Sequence, residues 1–257
     1  MKRKIGVITN SFRLPTLDSI RKAAQIGVDG FQIYCCGGEV SPESMDAAKR
    51  KEFRKFVADQ GLVISALCAD YGRGFLNAET NKEFVPKTMA CMDLAADLGT
   101  KIITSHIGRL PKDASDPTYQ AGLAAMRQIE AHGKKTGILF ASETGPESGE
   151  DLRVFLDTVG GDYVKANYDP ANLCMFGFDP ISGVAALGKK YIAHTHAKDG
   201  LKGVLKEVPL GEGGVDFPKY LAALDAIGYD GFLTIEREVG ENPAADIIKA
   251  VEFLRTM

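Results

Sequence analysis

Five residues able to carry acid–base or metal chemistry each close a short apolar run. His106 follows Ile102-Ile103-Thr104-Ser105, Glu143 follows Phe140-Ala141-Ser142, and Asp169 follows Ala166-Asn167-Tyr168. His196 follows Ala193-His194-Thr195, and Glu236 follows Leu233-Thr234-Ile235. A carboxylate at the end of a buried strand is costly unless something pairs with it. Taken singly, each is read most simply as a strand-end cap or ion-pair partner. Taken together, the last four supply Glu, Asp, His and Glu from four successive runs. Three carboxylates and one imidazole form a hard, oxygen-dominated donor set, suited to Mn, Mg, Co or Fe and tolerable for Zn. Glu143, Asp169, His196 and Glu236 are therefore the expected ligands of one divalent metal ion.

Such convergence requires elements that bring the run ends to one place. Eight β-rich runs recur along the chain: Lys4–Thr9, Gly30–Cys35, Leu62–Cys68, Lys101–His106, Ile138–Glu143, Val164–Asp169, Tyr191–His196 and Phe232–Glu236. Several are continuously apolar rather than alternating, the pattern of parallel strands buried on both faces. Between them lie stretches with helical spacing, such as Val85, Met89, Met92 and Ala96, or Leu221, Leu224 and Ala226-Ile227. Gly27, Gly61, Gly99, Gly188 and Gly228 stand where helices should close. Ser41-Pro42, Asp179-Pro180 and Asp216-Phe217-Pro218 mark helix starts.

Eight strands alternating with helices predict an α/β fold of the (β/α)8 TIM-barrel type, one domain over residues 1–257. A doubly wound sheet would carry Gly-x-Gly-x-x-Gly after an early strand. Gly72-Arg73-Gly74 lacks both the third glycine and the helix. In a barrel all strands point one way, so their carboxyl ends share one face, and neighbouring strands about 4.8 Å apart bring side chains within reach of one ion. The segments Asn10–Pro15 and Lys198–Val215 are the expected flexible rim.

Composition bounds the function. The chain has 257 residues, 45% hydrophobic and 25% charged, with 31 basic against 34 acidic residues. That balance argues against coating nucleic acid or an anionic membrane. No apolar run reaches the roughly 18 residues of a membrane span. The basic start Met-Lys-Arg-Lys has no apolar stretch behind it and is not read as a signal peptide. Five cysteines without a Cys-x-x-Cys pair imply neither a disulfide framework nor a zinc knuckle, so the expected setting is cytoplasmic.

The chain resembles the xylose isomerase-like TIM barrels, which include sugar isomerases, sugar and sugar-phosphate epimerases, inosose dehydratases and endonuclease IV. The resemblance rests on Ser142-Glu143-Thr144-Gly145, Tyr168-Asp169-Pro170-Ala171-Asn172-Leu173 and His194-Thr195-His196-Ala197-Lys198-Asp199. It continues through Pro209-Leu210-Gly211-Glu212-Gly213 and Gly228-Tyr229-Asp230-Gly231 to Thr234-Ile235-Glu236. It covers most of the second half closely and the first half in general pattern. By resemblance, Glu143, Asp169, His196 and Glu236 hold the metal, His196 being preferred to His194, and Glu143 and Glu236 exchange protons with substrate. Many relatives have a histidine three residues after the aspartate, where this chain has Asn172, here expected to bind substrate. The Asp-x-His of endonuclease IV relatives is replaced within Leu205-Lys206-Glu207-Val208, which sets nuclease chemistry aside.

His106 is expected to bond a substrate oxygen or orient Glu143. Lys198 is expected to bind substrate and neutralise developing oxyanion charge, or else to pair with Asp199 or Glu236. The chemistry implied is proton transfer beside a carbonyl through a metal-stabilised enediolate. The chain thus reads as an isomerase or epimerase of a small sugar or sugar phosphate, with homo-oligomers expected by resemblance. A dehydratase of the inosose type shares the first step, and a non-catalytic carbohydrate-binding barrel would show a damaged ligand set.

Overall fold

A computed structural model of the protein describes residues 3–257. The elements run in the order β1 (Lys4–Ile8), α1 (Thr16–Gln25), β2 (Gly30–Tyr34), α2 (Ala47–Asp59), β3 (Val63–Cys68), α3 (Ala78–Leu98), β4 (Ile102–Ser105) and α4 (Pro117–Thr136). They continue with β5 (Leu139–Glu143), α5 (Gly149–Val159), β6 (Val164–Tyr168), α6 (Pro170–Met175), α7 (Pro180–Tyr191) and β7 (Ile192–Ala197). A two-stranded hairpin of β8 (Asp199–Gly200) and β9 (Glu207–Val208) precedes α8 (Phe217–Ala226), β10 (Phe232–Ile235) and α9 (Pro243–Thr256). The eight long strands close a parallel barrel in the order β1-β10-β7-β6-β5-β4-β3-β2. The fold is a single (β/α)8 barrel.

Every predicted strand forms, with ends within one residue of expectation. The reason is the buried, uninterrupted apolar character of runs such as Phe140-Ala141, whose side chains are fully covered. Apart from α1, which follows Pro15 without a side-chain cap, the helices start where a short polar side chain can take up free N–H groups. Asp179 caps α7 and Asp216 caps α8, as the Asp-Pro and Asp-Phe-Pro patterns predict. Ser41 does not start a helix. Its backbone and hydroxyl oxygens close a local turn with Ser44, and α2 begins only at Ala47, capped by Asp46. Ala96 also departs from expectation: it is exposed, and the inner face of α3 runs through Val85, Thr88, Cys91, Met92 and Ala95.

The two rim segments carry local structure of their own. Thr9–Phe12 forms a tight 3-10 turn. In Lys198–Val215 the Asp199 carboxylate accepts N–H bonds from Gly200, Gly211, Gly213 and Val215 at 2.9–3.1 Å, drawing the loop into a closed hairpin. Four backbone donors on one carboxylate were not legible in the spacing, because three of them lie 12 to 16 residues downstream.

Candidate metal centre

The barrel brings Glu143, Asp169, His196 and Glu236 together at the carboxyl ends of four adjacent strands. One ligand atom from each lies within 4.8 Å of all the others. His196 Nδ1 stands 3.5 Å from Glu143 Oε1, 3.6 Å from Asp169 Oδ2 and 3.3 Å from Glu236 Oε2. All four side chains are buried, Glu143 being the most exposed at 8%.

Each group is aimed by local structure. Asp169 doubles as the cap of α6: its Oδ1 accepts from the N–H groups of Ala171 and Asn172 at 2.8 and 2.9 Å. One oxygen is thus committed to the helix and the other, Oδ2, faces the centre. His196 presents Nε2 to Gln32 Oε1 at 3.1 Å, so with the proton on Nε2 the lone pair of Nδ1 faces the carboxylates. Glu143 Oε1 accepts from Asn172 Nδ2 at 3.0 Å, and its Oε2 accepts from Asn167 Nδ2 at 3.2 Å. Glu236 Oε2 accepts from Lys198 at 2.8 Å. The Lys198 ammonium also bonds Glu238 and stands 4.0 Å from Asp169 Oδ2.

A layer of polar side chains supports these groups from beneath. The Thr234 hydroxyl donates to His194 Nε2 at 2.9 Å, His194 Nδ1 donates to Asn167 Oδ1 at 2.8 Å, and Asn167 reaches Glu143. His194 is fully buried, and burial, then the charge of His196, holds its pKa well below the usual range. It is therefore a neutral imidazole with one donor and one acceptor nitrogen, as this chain of bonds requires.

Two buried polar atoms of the centre have no hydrogen-bond partner: Asp169 Oδ2 and His196 Nδ1. Buried polar atoms are nearly always satisfied, and here both orphans point to the same place beside two further carboxylates. That is the signature of a cation site, and the donor set fits a divalent ion. Burial disfavours charge on His196, but Glu143 and Glu236 outweigh it and raise its pKa well above normal. The same pull for positive charge would favour a metal ion.

The residues expected at the rim all lie at this face. His106 gives Nδ1 to Asp70, which the sequence reading did not single out, and its Nε2 stands 3.6 Å from Glu143 Oε1. Burial opposes its charge, yet Glu143 and then Asp70 push its pKa up to about 9. Asn172 spends its amide on Glu143 and on the Thr144 carbonyl. Lys198 pairs with Glu236 rather than with Asp199. Gln32, Asn167, Asp70 and Glu238 are the participants the sequence concealed. A cleft of about 370 Å³ opens beside Glu236, lined also by Asn10, Ser11, Arg13, Tyr34 and Glu238.

Comparison with known proteins places these features in context. A family model described as xylose isomerase-like TIM barrel matches residues 20–257. L-ribulose-5-phosphate 3-epimerase UlaE of Salmonella paratyphi A is 43% identical over 70 residues, 26% of this chain and 25% of that protein. The chain therefore matches only about a quarter of the length of such curated relatives. The solved structure of a xylose isomerase domain protein from Planctomyces limnophilus superposes with a TM-score of 0.85 at 25% identity, covering 99% of this chain and 96% of the other. A probable 3-DHS dehydratase, AsbF, from Bacillus anthracis shares the fold with a TM-score of 0.80 at 21% identity, covering 99% of both chains.

Proposed function

The chain belongs to the xylose isomerase-like TIM barrel family, and we propose that it is a divalent-metal-dependent isomerase or epimerase of a small ketose or ketose phosphate. The observation that carries the reading is the pair of orphaned atoms, His196 Nδ1 and Asp169 Oδ2, converging with Glu143 and Glu236. These four residues would hold one ion of the Mn, Mg, Co or Zn type. When bound, such an ion polarises the carbonyl of a hydroxyketone and lowers the cost of removing the neighbouring carbon-bound proton.

The protein's own groups then divide the work. Glu236 accepts its hydrogen bond through Oε2 only, and it borders the cleft, so Oε1 is the atom placed to take or return a proton. Glu143 is the partner acid–base on the opposite side, oriented by Asn167 and Asn172. His106, fixed by Asp70, and Lys198 supply donors toward substrate oxygens as negative charge develops there. Return of the proton to the same carbon from the opposite side is epimerisation, and return to the neighbouring carbon is aldose–ketose isomerisation. Loss of a β-hydroxyl from the same enediolate would make the protein a dehydratase, a reading kept in view by the AsbF likeness in fold.

The test is metal content together with solvent-deuterium exchange into ketoses, for the wild type, Glu236→Gln and Asp169→Asn. The expected result is a stoichiometric divalent ion in the wild type, weakened binding in both variants, and exchange reduced by roughly 10²–10⁴-fold in Glu236→Gln. A wild type that binds no divalent ion while correctly folded sinks the proposal. Water release with formation of a conjugated product moves it to the lyase.

A further inference from the structure

Arg13 carries a backbone feature that nothing in the proposed chemistry uses. Its φ and ψ of 56° and 34° put it in the left-handed region, and it is the one non-glycine residue with positive φ among the described residues. That conformation is unfavourable for a residue that carries a side chain, and glycine avoids the penalty. Seventeen glycines of this chain sit at positive φ, so the turn after Thr9–Phe12 is a place where glycine would serve the backbone better. Strain retained beside an active site is a recurring mark of a functional side chain.

The side chain lies where a substrate would pass. Arg13 lines the same 370 Å³ cleft as Glu236. Its guanidinium donates Nη2 to the Glu238 carbonyl at 2.9 Å and Nη1 to the Gly240 carbonyl at 3.3 Å, which anchors it to the loop after β10. Among the described residues no carboxylate pairs with it. An arginine has five N–H donors, so three remain uncommitted. Arg237, the other arginine lining the cleft, has its charge paired with Glu207 and Asp246 at 2.6 and 2.9 Å. A planar guanidinium held in place by backbone carbonyls is suited to bind the oxygens of a phosphate.

Resting on the reading of the centre as a ketose isomerase or epimerase, we infer that Arg13 is a specificity-determining residue that binds the terminal phosphate of a phosphorylated ketose. The substrate's carbonyl end lies at the carboxylate–imidazole centre, and its anionic end reaches across the cleft to the loop after β1. Asn10 and Tyr34, which are joined by a bond from the Tyr34 N–H to Asn10 Oδ1, form the wall between the two ends.

The experiment compares full-length wild type, Arg13→Gly and Arg13→Lys, each supplied with Mn²⁺. Deuterium wash-in is followed for ribulose, xylulose, fructose and tagatose and for their terminal phosphates. Arg13→Gly keeps a residue that suits the left-handed turn, so its melting temperature should not fall. The expected result is that the wild type favours the phosphorylated ketoses and that Arg13→Gly raises KM for them by roughly 10–100-fold. KM for the free ketoses stays unchanged, and Arg13→Lys recovers part of the preference. A wild type that favours free ketoses, or an Arg13→Gly effect equal on both series, overturns the assignment of Arg13 while the isomerase reading stands. A wild type that exchanges deuterium into none of the eight compounds overturns both.

Discussion

Gln32 decides whether His196 is a ligand or merely a buried histidine. Its side chain is 1% exposed, and its Oε1 stands 3.1 Å from His196 Nε2. The other polar atom near that nitrogen is Asn167 Nδ2, also at 3.1 Å. His194, giving its Nδ1 proton to Asn167 Oδ1, keeps that amide turned with its nitrogen toward His196. Two N–H groups cannot bond each other, so Gln32 is the acceptor that holds the proton on Nε2 and frees Nδ1 for a metal. Outer-shell acceptors of this kind are worth about 10–100-fold in metal affinity, which is about 1.4–2.7 kcal/mol. Gln32→Met keeps the volume and removes the acceptor. It should weaken Mn²⁺ binding by that factor, whereas Gln32→Glu, which keeps an oxygen in place, should stay far closer to wild type. The assay is competitive titration of Mn²⁺ against a fluorescent chelator near pH 7.5, with melting of the metal-free proteins run alongside. Gln32→Met binding Mn²⁺ within threefold of wild type would show that the Nε2 bond does not present Nδ1, and the ligand role of His196 would lose its structural basis.

Two further tests probe the frame around the centre. Burial pushes the Glu147 carboxyl from the ordinary 4.5 up to about 7, against backbone hydrogen bonds at Gly145 and the charge of His106. Because the folded value is the higher one, the native state holds a proton that the unfolded chain has released between those two pH values, and stability falls as pH rises through that window. Glu147→Gln should therefore remove a loss of about 3 kcal/mol between pH 4.5 and 7, measured by urea unfolding at pH 5 and pH 8; an unchanged pH slope would count against it. Arg237 joins Glu207 of the β8–β9 hairpin to Asp246 of α9, and Glu207 also accepts the Glu238 N–H at 3.2 Å. Arg237→Met should cost about 1–3 kcal/mol because it strands two partly buried carboxylates, and adding Glu207→Leu should recover part of the loss. Equal melting of the single and double variants would show that no such penalty exists.

How much of this was readable in advance follows from where the information lies in the chain. The eight strands were legible because each is an apolar run closed by a polar residue, and that local pattern survives any tertiary context. The four converging groups were legible for the same reason, since each sits at or within one residue of a strand end. The supporting layer was not. Gln32, Asn167 and Thr234 sit inside strands, where a lone polar residue in an apolar run looks like noise until the barrel closes. Asp70 and Glu238 lie in loops, and their partners His106 and Lys198 are 36 and 40 residues away. The start of α2 was misplaced because Ser41-Pro42 carries a good helix-start pattern, yet the turn it makes with Ser44 satisfies that pattern without a helix. His132, near the end of α4, bridges that helix to α3 through Asp93 at 2.8 Å, 39 residues away.

Charge explains why Lys198 belongs to the centre and not merely to its rim. Three carboxylates beneath the barrel mouth would repel one another strongly in a buried setting. The Lys198 side chain is 4% exposed, and burial alone would drive its proton off. Glu236, then Asp169 and Glu238, reverse that and hold its pKa well above normal. Its ammonium therefore offsets one carboxylate permanently. Lys198 is shared between Glu236 and Glu238, so Glu143, Asp169 and Glu236 still present a surplus of negative charge to the Nδ1 atom of His196, which a bound cation would reduce. The surplus of buried negative charge thus supports the proposed cation site as the donor types do, and Lys198 limits that surplus.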